Sequence, residues 1–183
     1  MRPSPVQLIH LTFRKVLVEI DGDVPFDIEK LSPLDAFDFD GVTFRTSINV
    51  EALSEPDQLD RNGHVFQIAF DLLVDNETDK ESKSQARSPY LLDMQAAALV
   101  RVSAGADGLG TPRDLAAVNG AALVWAAFRE QLSNITARMA RGAALLPSVH
   151  FLDLRTSVQD VSTSQLDNGS PEKKGRARAK KPA

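Results

Sequence analysis

The stretch YLLDMQAAALVRVSAGADGLGTPRDLAAVNGAALVWAAF, residues 90–128, changes its hydrophobic period part-way along, and that change decides the fold. In its first third Tyr90, Leu92, Met94, Ala96, Ala98, Val100 and Val102 occupy alternate positions. Asp93, Gln95, Arg101 and Ser103 lie between them, along with Leu91 and Leu99. Alternation of this kind describes a strand with one buried face. Beyond Gly105, Gly108 and Gly110 the apolar residues recur at three-and-four spacing: Leu115, Val118, Ala122, Trp125, Phe128, then Leu132, Ile135 and Met139. That spacing is a helical stripe. Thr111 is placed to cap the helix, Pro112 suits its first position and Asp114 the positive end of its dipole. Gly142 is expected to close it.

Upstream of this stretch the alternation appears three more times. Phe66, Ile68, Phe70, Leu72 and Val74 share a face, opposite Gln67 and Asp71. Before them Val42, Phe44, Ile48, Val50 and Ala52 interleave with Thr43, Arg45, Ser47, Asn49 and Glu51. Val6 to Ile20 is also strand-like, but its apolar phase slips near Ile9 and again near Lys15, which fits bulges. Residues 54–63 and 75–88 are polar connections, and residues 21–40, with Pro25 and Pro33, read as an irregular crossover along the sheet edge. Downstream, Val149 to Asp160 suggests a short second helix. Strands followed by helices predict an α+β fold: a four-stranded antiparallel sheet, then a long helix and a short second helix packed on one face. The expected organisation is one domain over 1–160 and a disordered basic tail over 161–183.

Composition narrows the function. Among 183 residues there is no Cys, which removes disulfides, thiolate metal sites and a cysteine nucleophile. Nothing resembles a run of about 18 apolar residues or a signal-peptide core, so the expected location is cytoplasmic. The net charge of −4 conceals a division. Residues 172–183 carry six basic side chains (Lys173, Lys174, Arg176, Arg178, Lys180 and Lys181) and one acid, leaving the rest of the chain at a net −9. An acidic body argues against specific nucleic-acid binding. The basic tail suits a salt-sensitive contact with an acidic partner or with the acidic body itself.

No catalytic constellation emerges. His10, His64 and His150 are scattered without metal-ligand spacing, and no nucleophile elbow or phosphate-cradling loop occurs. The acids of Asp21-Gly22-Asp23 and of residues 35–40 lack the glutamate offset of a calcium loop. The expectation is a protein that is not an enzyme, with no cofactor and no metal.

With the element order in hand, residues 6–154 resemble the SecB family of protein-export chaperones. The resemblance is carried by Val6-Gln7-Leu8, Val65-Phe66-Gln67-Ile68-Ala69 and Tyr90-Leu91-Leu92-Asp93-Met94-Gln95. It continues in Val124-Trp125-Ala126-Ala127-Phe128-Arg129-Glu130 and Leu146-Pro147-Ser148-Val149-His150-Phe151. Ala126-Ala127 stands where the family has Pro-Tyr, so the chain looks like a divergent member.

The resemblance implies an ATP-independent holdase that binds unfolded client polypeptide, with a role in protein export. It further implies a homotetramer, a dimer of dimers, with Leu123, Val124 and Ala127 of the long helix at the oligomer interface. The apolar surround of residues 121–128 independently suggests two partners for that helix. Candidate groove residues are Phe26, Leu31, Leu34 and Phe37 in the crossover, with Trp125 and Phe128 from the helix. Docking on the motor SecA is implied through a sheet face matched by Glu19, Leu91 and Asp93, although Lys15 stands there in place of an acid. The rival reading is a dedicated adaptor or antitoxin-associated module that binds one specific protein.

Overall fold

A computed structural model describes residues 4–25, 36–53, 63–76 and 86–155. Its elements are β1 (Val6–Ile20), β2 (Arg45–Ala52), β3 (His64–Val74), β4 (Tyr90–Val102) and α1 (Pro112–Thr136), with single 3₁₀ turns at Asp107–Leu109 and Leu152–Leu154. The four strands form one antiparallel sheet in the order β1-β4-β3-β2. The long helix follows on one face, so the architecture is the expected α+β one. In place of the expected short second helix, the described residues hold only the 3₁₀ turn. The domain boundary at 160 and the segment 161–183 lie outside the described residues.

The alternation is realised as read. Every second residue of β4, from Tyr90 to Val102, is buried, as are Phe66, Ile68, Phe70, Leu72 and Val74 of β3. The two phase slips of β1 are breaks in its register with β4, between Leu8 and His10 and between Phe13 and Lys15. Fifteen residues of β1 therefore face thirteen of β4. The inward side chains Leu11, Phe13, Val16 and Val18 stay in step with Ala98, Ala96, Met94 and Leu92. β2 starts at Arg45 rather than Val42, because Val42 N–H turns back to the Phe39 carbonyl (3.1 Å) instead of joining the ladder.

Helix α1 begins as expected, with the Thr111 hydroxyl accepting from Asp114 N–H at 3.1 Å. It seats Ala116, Gly120, Ala121, Val124, Phe128 and Leu132 in the core over β1, β3 and β4. Small residues on both surfaces (Ala96, Ala98, Ala116, Gly120, Ala121) bring helix and sheet close. Burial of this stripe supplies the main stabilisation, about 25 cal/mol per Å² of apolar surface removed from water. The helix ends at Thr136, six residues before Gly142. Thr136 Oγ1 donates to the Leu132 carbonyl and accepts from Ala144 N–H, each at 2.8 Å, so a tertiary partner terminates the helix and Gly142 (φ +78°) only turns the chain afterwards. At the other end of the sheet Gly63 (φ +90°) has to be glycine, since a Cβ there would lie 2.0 Å from the Val102 carbonyl oxygen. Among the described residues no helix is long and apolar enough to cross a membrane.

Candidate functional site

The crossover between β1 and β2 is tied at both ends to one short segment beyond α1. At its start, Arg141 donates to the carbonyls of Asp21 (2.8 Å) and Val24 (2.7 Å). At its far end, Phe37 N–H donates to Ala143 O and Leu145 N–H to Phe37 O, each at 2.8 Å, making a parallel bridge between Phe37 and Ala144. The helix pins the same segment from beneath: Trp125 Nε1 donates to Pro147 O and Arg129 Nε to Leu146 O, both at 2.8 Å. These six hydrogen bonds hold residues 37–42 and 142–147 side by side.

Between the two segments lies an open cleft of about 370 Å³, lined by Asp38, Phe39, Asp40, Gly41, Arg129, Leu145, Leu146 and Pro147. Its apolar lining is Phe39 and Leu146, both buried, with Pro147 and a Leu145 that remains 40% exposed. Asp38 and Asp40 are exposed, and Asp38 Oδ1 accepts from Asp40 N–H at 3.1 Å. Between them Phe39 adopts φ +59°, a left-handed conformation that costs a bulky residue about 1–3 kcal/mol. Its ring is over-determined by packing: Phe37 lies edge-on at 4.8 Å and Phe44 at 5.7 Å. The contacts continue through Phe44–Trp125 (6.0 Å), Trp125–Phe70 (6.0 Å) and Phe70–Phe128 (5.5 Å) to Phe13 (6.0 Å). A line of aromatic rings thus joins the cleft floor to the sheet.

The expected groove residues divide. Phe37 borders this site, half-buried, while Phe26, Leu31 and Leu34 lie outside the described residues. Trp125 and Phe128 are core rather than groove: Trp125 is 5% exposed and Phe128 fully buried, facing Phe70. Phe39, Leu145 and Leu146 were missed. The run Phe37-Asp38-Phe39-Asp40 alternates acid and aromatic, so the signal that singles out Phe37 applies equally to Phe39.

On the outer sheet face Glu19 pairs directly with Leu91, and Leu17 with Asp93, so the expected docking residues do come together. Asp93 is not a free acid, because Lys15 Nζ lies 2.5 Å from its Oδ2. Of the expected interface residues, Val124 is fully buried in the core of the chain itself. Leu123 and Ala127 stay partly accessible, beside exposed Ala122 and Ala126.

Two titratable groups stand out next to the tethers. Asp21 is held below its ordinary value of 3.8, first by Asn76 Nδ2 (2.5 Å), then by Asp23 N–H (2.8 Å), with burial opposing and Arg87 (3.1 Å) assisting. Burial pushes the Tyr90 phenol above 10.0, Arg141 acting in the other direction, and its hydroxyl donates to the Gly142 carbonyl. Neither group faces the cleft lining. Among the described residues no three His, Asp or Glu side chains are placed to hold a metal ion.

No family model matches the chain, and no curated protein matches it. Among solved structures the chain is similar to a SecB-like chaperone of Mycobacterium tuberculosis, determined in complex with a ChAD peptide from the HigA1 antitoxin. Identity is 15%, coverage 79% of this chain and 90% of that one, and the TM-score 0.40. It is also similar to a protein of unknown function from Streptococcus agalactiae, with 7% identity, coverage of 78% and 97%, and a TM-score of 0.48.

Proposed function

We propose that the chain is an ATP-independent holdase that binds unfolded or non-native polypeptide, with the cleft between residues 38–41 and 145–147 as part of its client site. The observation that carries this reading is the cleft itself: open, apolar along its floor, and held in place by hydrogen bonds to the backbone carbonyls of its walls. Burial of apolar side chains is non-directional, so such a surface suits clients of many sequences. Its lining supplies two exposed carboxylates and one arginine already bonded to a carbonyl, without a nucleophile paired to a base. The same reading makes the protein a homotetramer working in the cytoplasm, with Leu123 and Ala127 at contacts between subunits and export as one use of the held client.

A second reading, a dedicated adaptor that binds one protein such as an antitoxin, is favoured by the Lys15–Asp93 pair. It neutralises the acid through which the outer face would meet a basic partner such as SecA.

The test is light scattering while a chemically denatured protein is diluted, with and without this chain and without ATP. The holdase reading expects suppressed scattering, weakened when Leu145→Asp places a charge on the cleft wall. No suppression from a folded sample overturns it and leaves the adaptor.

A further inference from the structure

We propose that the basic run Lys173–Lys181 of this chain docks in its own cleft, with arginines on the Asp38 and Asp40 carboxylates, and so competes with the client. This deepens the holdase reading and, for its regulatory consequence, rests on it. The body of the chain carries a net −9, whereas residues 172–183 carry six basic groups and one acid. At the cleft the acids concentrate on the rim above an apolar floor, Asp38 and Asp40 both being exposed. Arg129 also lines it, and its Nε is committed to the Leu146 carbonyl.

The run has the composition to use both features. In an extended chain Arg176, Arg178 and Lys180 fall on one side and Ala177 and Ala179 on the other. The alanines admit close approach to Phe39, Leu146 and Pro147. The long basic side chains lay their methylene stems on Leu145 and bring guanidinium groups to the carboxylates, which is how arginine covers apolar surface while keeping its charge in water. Asp38 and Asp40 flank the buried Phe39 and are both exposed, so two arginines of the run have two carboxylates to meet.

The occupant is also within reach. The described chain ends at Arg155, just past a turn whose Phe151 packs on Trp125 at 6.2 Å, and Trp125 in turn bonds Pro147 of the cleft wall. From Arg155 the chain to Arg176 can span about 70 Å at full extension, at roughly 3.3–3.6 Å per residue. A tethered ligand of this kind acts at an effective concentration of about millimolar, so a weak contact suffices to fill the site until a client with larger side chains displaces it.

The chain has one Trp and no Cys, which makes the test direct. The full chain carrying Ala183→Cys labelled with dansyl is excited at Trp125, and energy transfer to dansyl is measured. The proposal expects transfer at low salt that falls about twofold or more near 1 M salt, where the Debye length is about 3 Å. The same fall is expected with Asp38→Asn/Asp40→Asn, and with Arg176→Gln/Arg178→Gln, which leaves the described fold untouched. Transfer that ignores these substitutions overturns the proposal, as does transfer that disappears when labelled chain is diluted into excess unlabelled chain, since docking is then between copies. Scattering assays on the Arg176→Gln/Arg178→Gln chain separate the two claims. Stronger suppression than the parent supports competition. Absence of suppression in both chains overturns the holdase reading and the competition with it, while the transfer data still decide the docking.

Discussion

Ile68 Cδ1 occupies the place where a side chain on residue 120 would begin: a Cβ built on Gly120 would lie 1.9 Å from it, with Val100 Cγ1 only 3.5 Å away. The helix crosses the sheet at this point because the glycine leaves the room that the Ile68 side chain fills. Alanine at 120 would gain about 1 kcal/mol of helix propensity, yet it has to displace a fully buried methyl in a packed core. We expect Gly120→Ala to lower stability by about 1–3 kcal/mol in the native background. The loss should largely vanish when Ile68→Val removes Cδ1. A double-mutant cycle in urea reads the coupling, expected at about 1 kcal/mol or more; additive effects would mean the contact does not set the helix–sheet distance.

Thr136 stops α1 by offering one hydroxyl to two backbone groups, and it is fully buried. Thr136→Val keeps the shape but strands the Ala144 N–H, so we expect a loss of about 1–3 kcal/mol by thermal or denaturant melting. Thr136→Ser, which keeps the oxygen, should lose clearly less. Equal losses would show that the methyl, rather than the hydroxyl, matters.

Tyr90 ties β4 to the turn at Gly142, and burial holds its phenol protonated above the ordinary 10.0. A raised acid contributes stability that is complete below its unfolded pKa and is lost as pH rises through the folded one. Against Tyr90→Phe, the native chain should be more stable by about 1 kcal/mol at neutral pH. That advantage should shrink from about pH 10 upward. Melting both chains at neutral and strongly alkaline pH checks the sign.

Asp21 behaves oppositely. Its lowered pKa contributes stability that is present above about 3.8 and is lost as pH falls through the folded value. Asp21→Asn removes that dependence, so its urea midpoint should fall less between pH 5 and pH 2 than that of the native chain. Parallel acid profiles would show that the Asn76 and Arg87 contacts do not hold the carboxylate charged.

Local pattern carried much of the fold. The slips at Ile9 and Lys15, the Thr111 cap and the alternation of β3 and β4 are properties of neighbouring residues, and they survive in the structure almost unchanged. What depends on distant residues was not legible. The order β1-β4-β3-β2 puts the first strand beside the fourth, a pairing that no short window contains. Thr136 ends the helix because Ala144 reaches back to it, where the local signal pointed to Gly142. Trp125 and Phe128 are apolar whether they face a groove or a sheet, and only the helix rotation decides that they face Phe70. The cleft joins two segments a hundred residues apart, so Phe39 and Leu146 carried no mark of their partnership.

The two register breaks in β1 bear on what this molecule avoids. β1 lies at one edge of the sheet, with Leu8, Ile9, Leu17 and Ile20 exposed, and a long apolar edge of that kind is a template for fibre growth. Ile9 and Arg14 are the residues without a partner on β4, so an incoming straight strand would lose step at each. The unbroken runs left are Val6–Leu8, His10–Phe13 and Lys15–Ile20, none longer than six residues. The edge therefore admits a short strand or one shaped to match its kinks, and rejects the indefinite stacking of flat strands that a straight apolar edge would otherwise start.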